Sequence, residues 1–271
     1  MTAEAWSRVS AAWEAHAKGI EQTNGTATSV LLELAAIESG DRVLELGAGT
    51  GHFAVHLADL VGRDGSLVAS DISPSMVELV GQKLVGLPQA TAEVIDAAAI
   101  PGPAEAYDVV VSRMGLMFVT EPLQAFQEIR RVLQPGGRLA AAVWAAPGRN
   151  PWMTAVGMAA VMNGVLSGPL PTAPGGPFSL GDPEQLEKLA RDAGFLDVRV
   201  EAAEYTRHYE SAEEHFNMVR VLAPPIAAAL ESATSEQVEA VGRSAEEFIA
   251  PYASSDGGYD LPACALVLRA S

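Results

Sequence analysis

Three glycines close the run Val43-Leu44-Glu45-Leu46-Gly47-Ala48-Gly49-Thr50-Gly51, and a helical pattern follows from about His52. A buried strand that turns into a helix through glycines lets backbone amides approach a ligand closely. Asp71 stands 20 residues beyond Gly51, at the end of the next strand-like run. A carboxylate there can accept both hydroxyls of a ribose. His52 occupies the position that a dinucleotide fingerprint reserves for its third glycine, and no Gly-Lys-Ser or Gly-Lys-Thr follows the loop. The pattern therefore departs from a pyrophosphate cradle and excludes a nucleoside-triphosphate loop.

Other reactive side chains are scattered. His52 and His56 have the spacing of two metal ligands on one helix face. No third ligand matches them, so we read them as helix packing and expect no metal. His208 and His215 lie in a later segment with Tyr205 and Tyr209 nearby. Of these, His208 is the candidate substrate-facing general base, with a solvated histidine as the alternative. The single cysteine, Cys264, sits in Ala263-Cys264-Ala265-Leu266-Val267-Leu268 and reads as core. One cysteine excludes a disulfide framework, a cysteine-rich zinc site and dithiol redox chemistry.

The elements that must position these residues follow from patterning. Strand-like runs occur at residues 42–46, 66–70, 92–95, 107–112 and 138–144. Their nearly continuous apolar character implies strands covered on both faces, hence a doubly wound α/β sheet that is mostly parallel. Ser73-Pro74 is a helix start, as is Asp182-Pro183-Glu184-Gln185. Leu123, Phe126, Ile129 and Leu133 recur at helical spacing before Pro135-Gly136-Gly137 stops the helix. A proline- and glycine-rich stretch with Met153, Met158 and Met162 interrupts this rhythm after Trp144. A second long excursion separates the strand-like runs 198–201 and 265–268.

We therefore divide the chain into an N-terminal helical lid (1–27), a ligand-binding core (28–144), a cap insertion (145–181) and a core helix with sixth strand (182–202). A helical cap insertion (203–262) and a last strand (263–271) complete it.

The composition bounds the partners. The 271 residues carry 17 Lys and Arg against 34 Asp and Glu, a formal net charge of −17, with 49% hydrophobic and 19% charged residues. That balance is globular, and its acidity argues against nucleic acid as a partner. The N-terminus lacks a basic stretch followed by an apolar one, and the most membrane-like segment, Trp152 to Leu166, is short and broken by Gly157, Asn163 and Gly164. The expectation is a cytoplasmic protein that takes a small molecule and does not enter a membrane.

Five segments in order resemble the class I S-adenosylmethionine-dependent methyltransferases. They are Glu45 to Gly51, Ser70-Asp71-Ile72-Ser73-Pro74-Ser75-Met76, Ile95 to Pro101, Tyr107 to Ser112, and Ile129 to Leu139 through Pro135-Gly136-Gly137. The resemblance covers about residues 28–202 and the final strand. It implies a Rossmann-like seven-stranded sheet with an antiparallel last strand and a helical cap. It implies S-adenosylmethionine as cofactor and S-adenosylhomocysteine as product. Gly47, Ala48, Gly49, Thr50 and Gly51 would line the methionine half, Asp71 would hold the ribose, and Ile72 and Met76 would face the adenine. Asp96 and the Ala97 N–H would meet the adenine edge, and the Ser112 carbonyl would receive the amino group. A turn cap is the other reading of Asp96, and core packing that of Met76.

Within that resemblance, the chain lacks the acidic metal set of catechol enzymes, the cysteines of arsenic methylation and the Asn-Pro-Pro-Tyr-type turn of DNA-amine enzymes. It is similar instead to quinone and natural-product methyltransferases, with methyl transfer to O, N or C of a small acceptor. Trp13, Met114, Met117, Phe118, Trp152, Met158 and Met162 would line the acceptor pocket, with simple core packing as the other reading for several of them. The same motifs would serve a relative that binds the cofactor without methylating, such as a cyclase, or a non-catalytic binding partner.

Overall fold

Because consecutive apolar runs are separated by amphipathic helices, each strand lies beside its neighbour and each helix covers a face. A computed structural model of the chain describes residues 1–167, 171–255 and 257–271. It begins with two helices, α1 (Ala3–Thr23) and α2 (Gly25–Ala35), followed by β1 (Arg42–Leu46), α3 (His52–Val61), β2 (Ser66–Asp71), α4 (Pro74–Lys83) and β3 (Ala90–Val94). Next come β4 (Tyr107–Arg113), α5 (Pro122–Val132), β5 (Leu133–Trp144), α6 (Pro151–Met162), α7 (Pro183–Asp192) and β6 (Val198–Tyr209). Helices α8 (Ala212–Leu222), α9 (Pro224–Glu231) and α10 (Ser235–Ile249) lead to β7 (Tyr259–Ala270).

The seven strands form one sheet in the order β3-β2-β1-β4-β5-β7-β6. The pairings from β3 through β5 are parallel, and β7 runs antiparallel to both β5 and β6. The order reverses between β1 and β4, the place where an open α/β sheet leaves a crevice at its strand ends. Central strands are buried on both faces, as at Val109, Val110 and Val111. The edge strand β3 is not: Val94 is exposed, so coverage on both faces does not extend to the edge.

Local signals explain the helix starts. Ser73 and Asp182 accept backbone N–H groups at the heads of α4 and α7, and proline follows each. On α5 the buried face is Ala125, Phe126, Ile129 and Val132, while Leu123 is exposed and Leu133 already opens β5.

The largest departure from the sequence reading concerns residues 203–209 and 259–262. These were expected inside a helical cap, but β6 pairs with β7 along its full length, from Val198 with Ala270 to Tyr209 with Tyr259. The helical excursion is accordingly α8 to α10. It packs with α6 into one layer, α10 lying on both α6 and α8. Of the expected cap stretches, residues 168–170 and 256 lie outside the described residues.

Candidate functional site

The carboxyl ends of β1, β2 and β4 build the floor of the site. Leaving β1, the Gly47 and Ala48 N–H groups both donate to the Ser70 carbonyl at 2.8 Å, binding the loop to the end of β2. Gly47 has φ +78°, and a Cβ there would stand 3.0 Å from the Gly115 Cα. Only glycine lets the loops after β1 and β4 meet so closely. Gly51, at φ +85°, is the cap residue of α3, and a Cβ would lie 2.9 Å from the Val80 Cα of α4.

Asp71 is fixed at both oxygens. Gly49 N–H donates to Oδ2 at 3.0 Å and Ser73 N–H to Oδ1 at 2.9 Å. Burial pushes its carboxyl above the usual range, against the pull of backbone N–H groups from Ser73, Gly49 and Ile72. It is thus a cavity-lining carboxylate that also holds the glycine loop in shape.

Glu45, one turn of pleat behind the loop, is 1% exposed, and its Oε2 has no hydrogen-bond partner. Burial pushes its carboxyl up to about 8; the charge of Arg113 opposes this, while Asp71 and Glu21 add to it. The Arg113 guanidinium donates to both Glu21 oxygens at 2.7 and 2.5 Å and lies 4.5 Å over the Phe53 ring. The end of β4 is thereby tied to α1.

Above this floor opens a cavity of about 1340 Å³. A single small-ligand pocket measures about 300–1,000 Å³, so this chamber has room for a cofactor and an acceptor together. Helix α1 forms its roof and is fastened on two sides. Ser7 and Ser73 share a hydroxyl hydrogen bond at 2.9 Å, Lys83 pairs with Glu14 at 2.6 Å, and the Trp13 indole donates to the Leu222 carbonyl at 3.0 Å. Trp6 stacks edge-on against Trp13 and Phe118. On the far wall Trp152 meets Trp144 edge-on, and the Arg207 guanidinium lies 3.7 Å over the Trp152 ring.

Most of the sequence-derived candidates line this one cavity. Gly47, Ala48, Gly49, Thr50, Asp71, Ile72, Met76, Asp96 and Ala97 lie on the floor side. Trp13, Met114, Met117, Phe118, Trp152, Met158 and Met162 lie on the roof and cap side. Asp96 also accepts the Ala98 N–H at 2.9 Å, so the turn-cap reading describes it as well. Met114 adopts φ +60°, unusual for a side chain of that size and located at the cavity wall. Met158 and Met162 are 48% and 71% exposed, so they rim the mouth and do not fill the interior.

Three candidates stand elsewhere. Gly51 spaces α3 from α4, as above. Ser112 is fully buried behind the wall, its hydroxyl donating to the Leu46 carbonyl at 2.8 Å, and the residues that reach the cavity are Arg113 and Met114. His208 is no substrate-facing base: it sits on the outward face of β6 with its Nδ1 2.8 Å from Asp260. Strand alternation puts Arg207 inward and His208 outward. His215 is a core residue, bonded through Nε2 to the Trp152 carbonyl. Burial pushes its imidazole below the usual range.

Sequence reasoning missed Trp6, Glu21, Arg113 and Arg207. Arg113 follows the fourth-strand motif directly, which is a signal the sequence held; no apolar alternation marked Arg207 as an inward position. Among the described residues no group of three or more His, Cys, Asp or Glu side chains is arranged to hold a metal, and no helix is long and apolar enough to cross a membrane.

Comparison with known proteins agrees with this geometry. The family described as "Methyltransferase domain" matches residues 43–137. A ubiquinone/menaquinone biosynthesis C-methyltransferase, UbiE of Teredinibacter turnerae, is 38% identical over 111 residues, or 40% of this chain and 45% of that protein. The chain spans about half the length of the curated relatives it matches. Among solved structures, the [4+2]-cyclase SpnF is similar with a TM-score of 0.53 at 22% identity, covering 90% of this chain and 79% of that one. Phosphoethanolamine N-methyltransferase 2 of Haemonchus contortus, in complex with phosphomonomethylethanolamine and S-adenosylhomocysteine, is similar with a TM-score of 0.56 at 17% identity. That match covers 92% of this chain and 53% of the other. At such identities the structures speak for the fold alone. Residues 43–137 thus match a methyltransferase domain, and the sheet order and the glycine loop around them agree with the class I S-adenosylmethionine-dependent enzymes that the sequence resembles.

Proposed function

We propose that this protein transfers a methyl group to O, N or C of an apolar small molecule held between α1 and the cap. The observation that carries this reading is the single cavity of about 1340 Å³ that joins the glycine loop and Asp71 to a wall of Trp13, Met114, Phe118 and Trp152. A non-catalytic cofactor binder has no need of that second half.

The floor fits the cofactor. Gly47, Ala48, Gly49 and Thr50 would line its methionine half, and Asp71, held by Gly49 and Ser73, would present its remaining lone pairs to the ribose. Ile72 and Met76 would pack on the adenine, with Asp96 and Ala97 at its edge. The buried Glu45 Oε2 has no partner in the fold, and the cationic amino group of the cofactor would satisfy it. When bound, S-adenosylmethionine supplies an electrophilic methyl on a sulfonium whose leaving group departs neutral.

What the chain itself contributes is alignment and dryness. The aromatic roof and cap exclude water, and both walls fix the acceptor against the floor. Among the described cavity residues His52 is the one histidine, and its Nδ1 is 3.1 Å from the Thr50 hydroxyl. We assign no side-chain base; an already ionised acceptor, or an electron-rich carbon that gives up its proton to solvent only after the methyl has arrived, requires none. The C-methyltransferase activity named for the Teredinibacter turnerae relative supports a carbon acceptor among the three. The net charge of −17 supports a small-molecule acceptor over a nucleic-acid partner.

Incubation of the protein with methyl-labelled S-adenosylmethionine and a small-molecule extract tests this reading. Labelled product and S-adenosylhomocysteine are expected together. Tight cofactor binding with neither formed, alongside another enzymatic conversion, would replace methyl transfer with the cyclase-type alternative.

A further inference from the structure

The far wall of the chamber contains a charge that the fold does not neutralise. Arg207 is 4% exposed. Its Nη2 donates to the Thr23 hydroxyl at 3.0 Å, its plane rests on the Trp152 ring, and its Nε has no partner. No carboxylate among the described residues pairs with it, whereas Arg113, the other arginine of the cavity, is matched by Glu21. The groups around Arg207 supply no counter-charge either. Burial pushes the Tyr205 and Tyr209 hydroxyls up and keeps them neutral, and burial pushes the His215 imidazole down, away from its charged form.

Burying an unpaired guanidinium costs several kcal/mol, and folded proteins rarely keep one without a use. Here the fold also holds it in place: the stack on Trp152 sets its plane and Thr23 sets one edge. An anion arriving in the chamber would meet a charged donor already oriented and dehydrated, which is where such a contact is strongest.

We propose that Arg207 is the specificity residue of the acceptor chamber and that the acceptor is an apolar molecule carrying one carboxylate. This rests on the small-molecule methyl-transfer reading above and narrows its substrate class. A multiply charged group such as a phosphate fits poorly, since apart from the Arg113–Glu21 pair the other charged side chains of the wall are the carboxylates Asp71, Asp96 and Glu121. The aromatic and methionine lining takes the apolar body.

The test uses three probes of one shape on the S-adenosylhomocysteine-loaded protein at neutral pH: 2-naphthoate, neutral 2-naphthamide and 2-naphthyl phosphate. Calorimetry is expected to show 2-naphthoate binding at least tenfold more tightly than either of the others, about 1.4 kcal/mol. In Arg207→Met that preference should fall below about twofold, with Arg207→Lys between the two, while S-adenosylhomocysteine affinity is unchanged. Equal binding of naphthoate and naphthamide by the natural protein would overturn the assignment. Tighter binding of the phosphate, or binding of none of the probes while S-adenosylhomocysteine still binds, would do the same, as would a preference that survives in Arg207→Met. Should Arg207→Met fail to fold, the natural protein and Arg207→Lys decide. Failure of the natural protein to bind S-adenosylhomocysteine would instead remove the methyltransferase reading itself.

Discussion

At the scale of single residues, two buried carboxyls carry different burdens. Asp71 has both oxygens occupied by backbone N–H donors, so its removal deprives the cofactor of an acceptor and the glycine loop of its clasp. Asp71→Ala is expected to lower S-adenosylhomocysteine affinity by about 1.5–3 kcal/mol. Calorimetry that found affinity unchanged would take Asp71 out of the site. Glu45 is held protonated up to about pH 8 in the fold, against an ordinary value of 4.5. Between those values the folded chain binds a proton that the unfolded chain has released. Stability without cofactor therefore falls as pH rises through that window, by at most about 1.4 kcal/mol per unit from this group. Urea unfolding at pH 5 and pH 8 should show that Glu45→Gln loses this part of the slope. A slope identical to that of the natural protein would mean that Glu45 is ionised throughout.

At the scale of elements, the connection between core and cap hangs on Asn150, just before α6. Its amide donates to the Ala145 and Cys264 carbonyls at 3.1 and 3.0 Å, and its oxygen accepts the Cys264 N–H and the Trp152 indole at 3.0 and 3.2 Å. Asn150→Ala strands two buried donors and should cost about 2–4 kcal/mol of stability, read as a lowered urea midpoint. A midpoint unchanged from the natural protein would show that water replaces the amide. Nothing in the sequence marked this residue, because its partners are distant along the chain. The parallel core was legible for the opposite reason: residues 42–46 are a local apolar run between turn signals, and β1 occupies those same residues. The second half of β6 was not. Its inward positions are Ala203, Tyr205, Arg207 and Tyr209, and the buried arginine breaks the apolar alternation that identifies a strand. The residue that concealed the strand is the one to which we give a binding role, and local rules do tend to fail at functional positions.

At the scale of the molecule, floor and cap divide the work. The cavity wall between Glu45 and Thr120 would hold the cofactor, whereas α6, the segment 171–178, Arg207 and the ends of α8 and α9 would close the acceptor side. Met158 and Met162, with Val161 between them, stand exposed on the last turns of α6 at the cavity mouth. Because they are exposed, polar replacements leave no cavity and strand no buried group, and folding should be unaffected. An apolar acceptor must nonetheless pass them, and flexible thioethers give it a surface that adapts to its shape. The double variant Met158→Gln/Met162→Gln should therefore raise the acceptor KM several-fold. Its S-adenosylhomocysteine affinity should stay within about 1 kcal/mol of the natural value, since well-separated sites usually act independently. Steady-state kinetics and calorimetry on the same preparation separate the two effects. Weakened cofactor binding with an unchanged acceptor KM, in a protein that still unfolds at the natural midpoint, would show that the mouth serves the cofactor and that floor and cap are one site energetically.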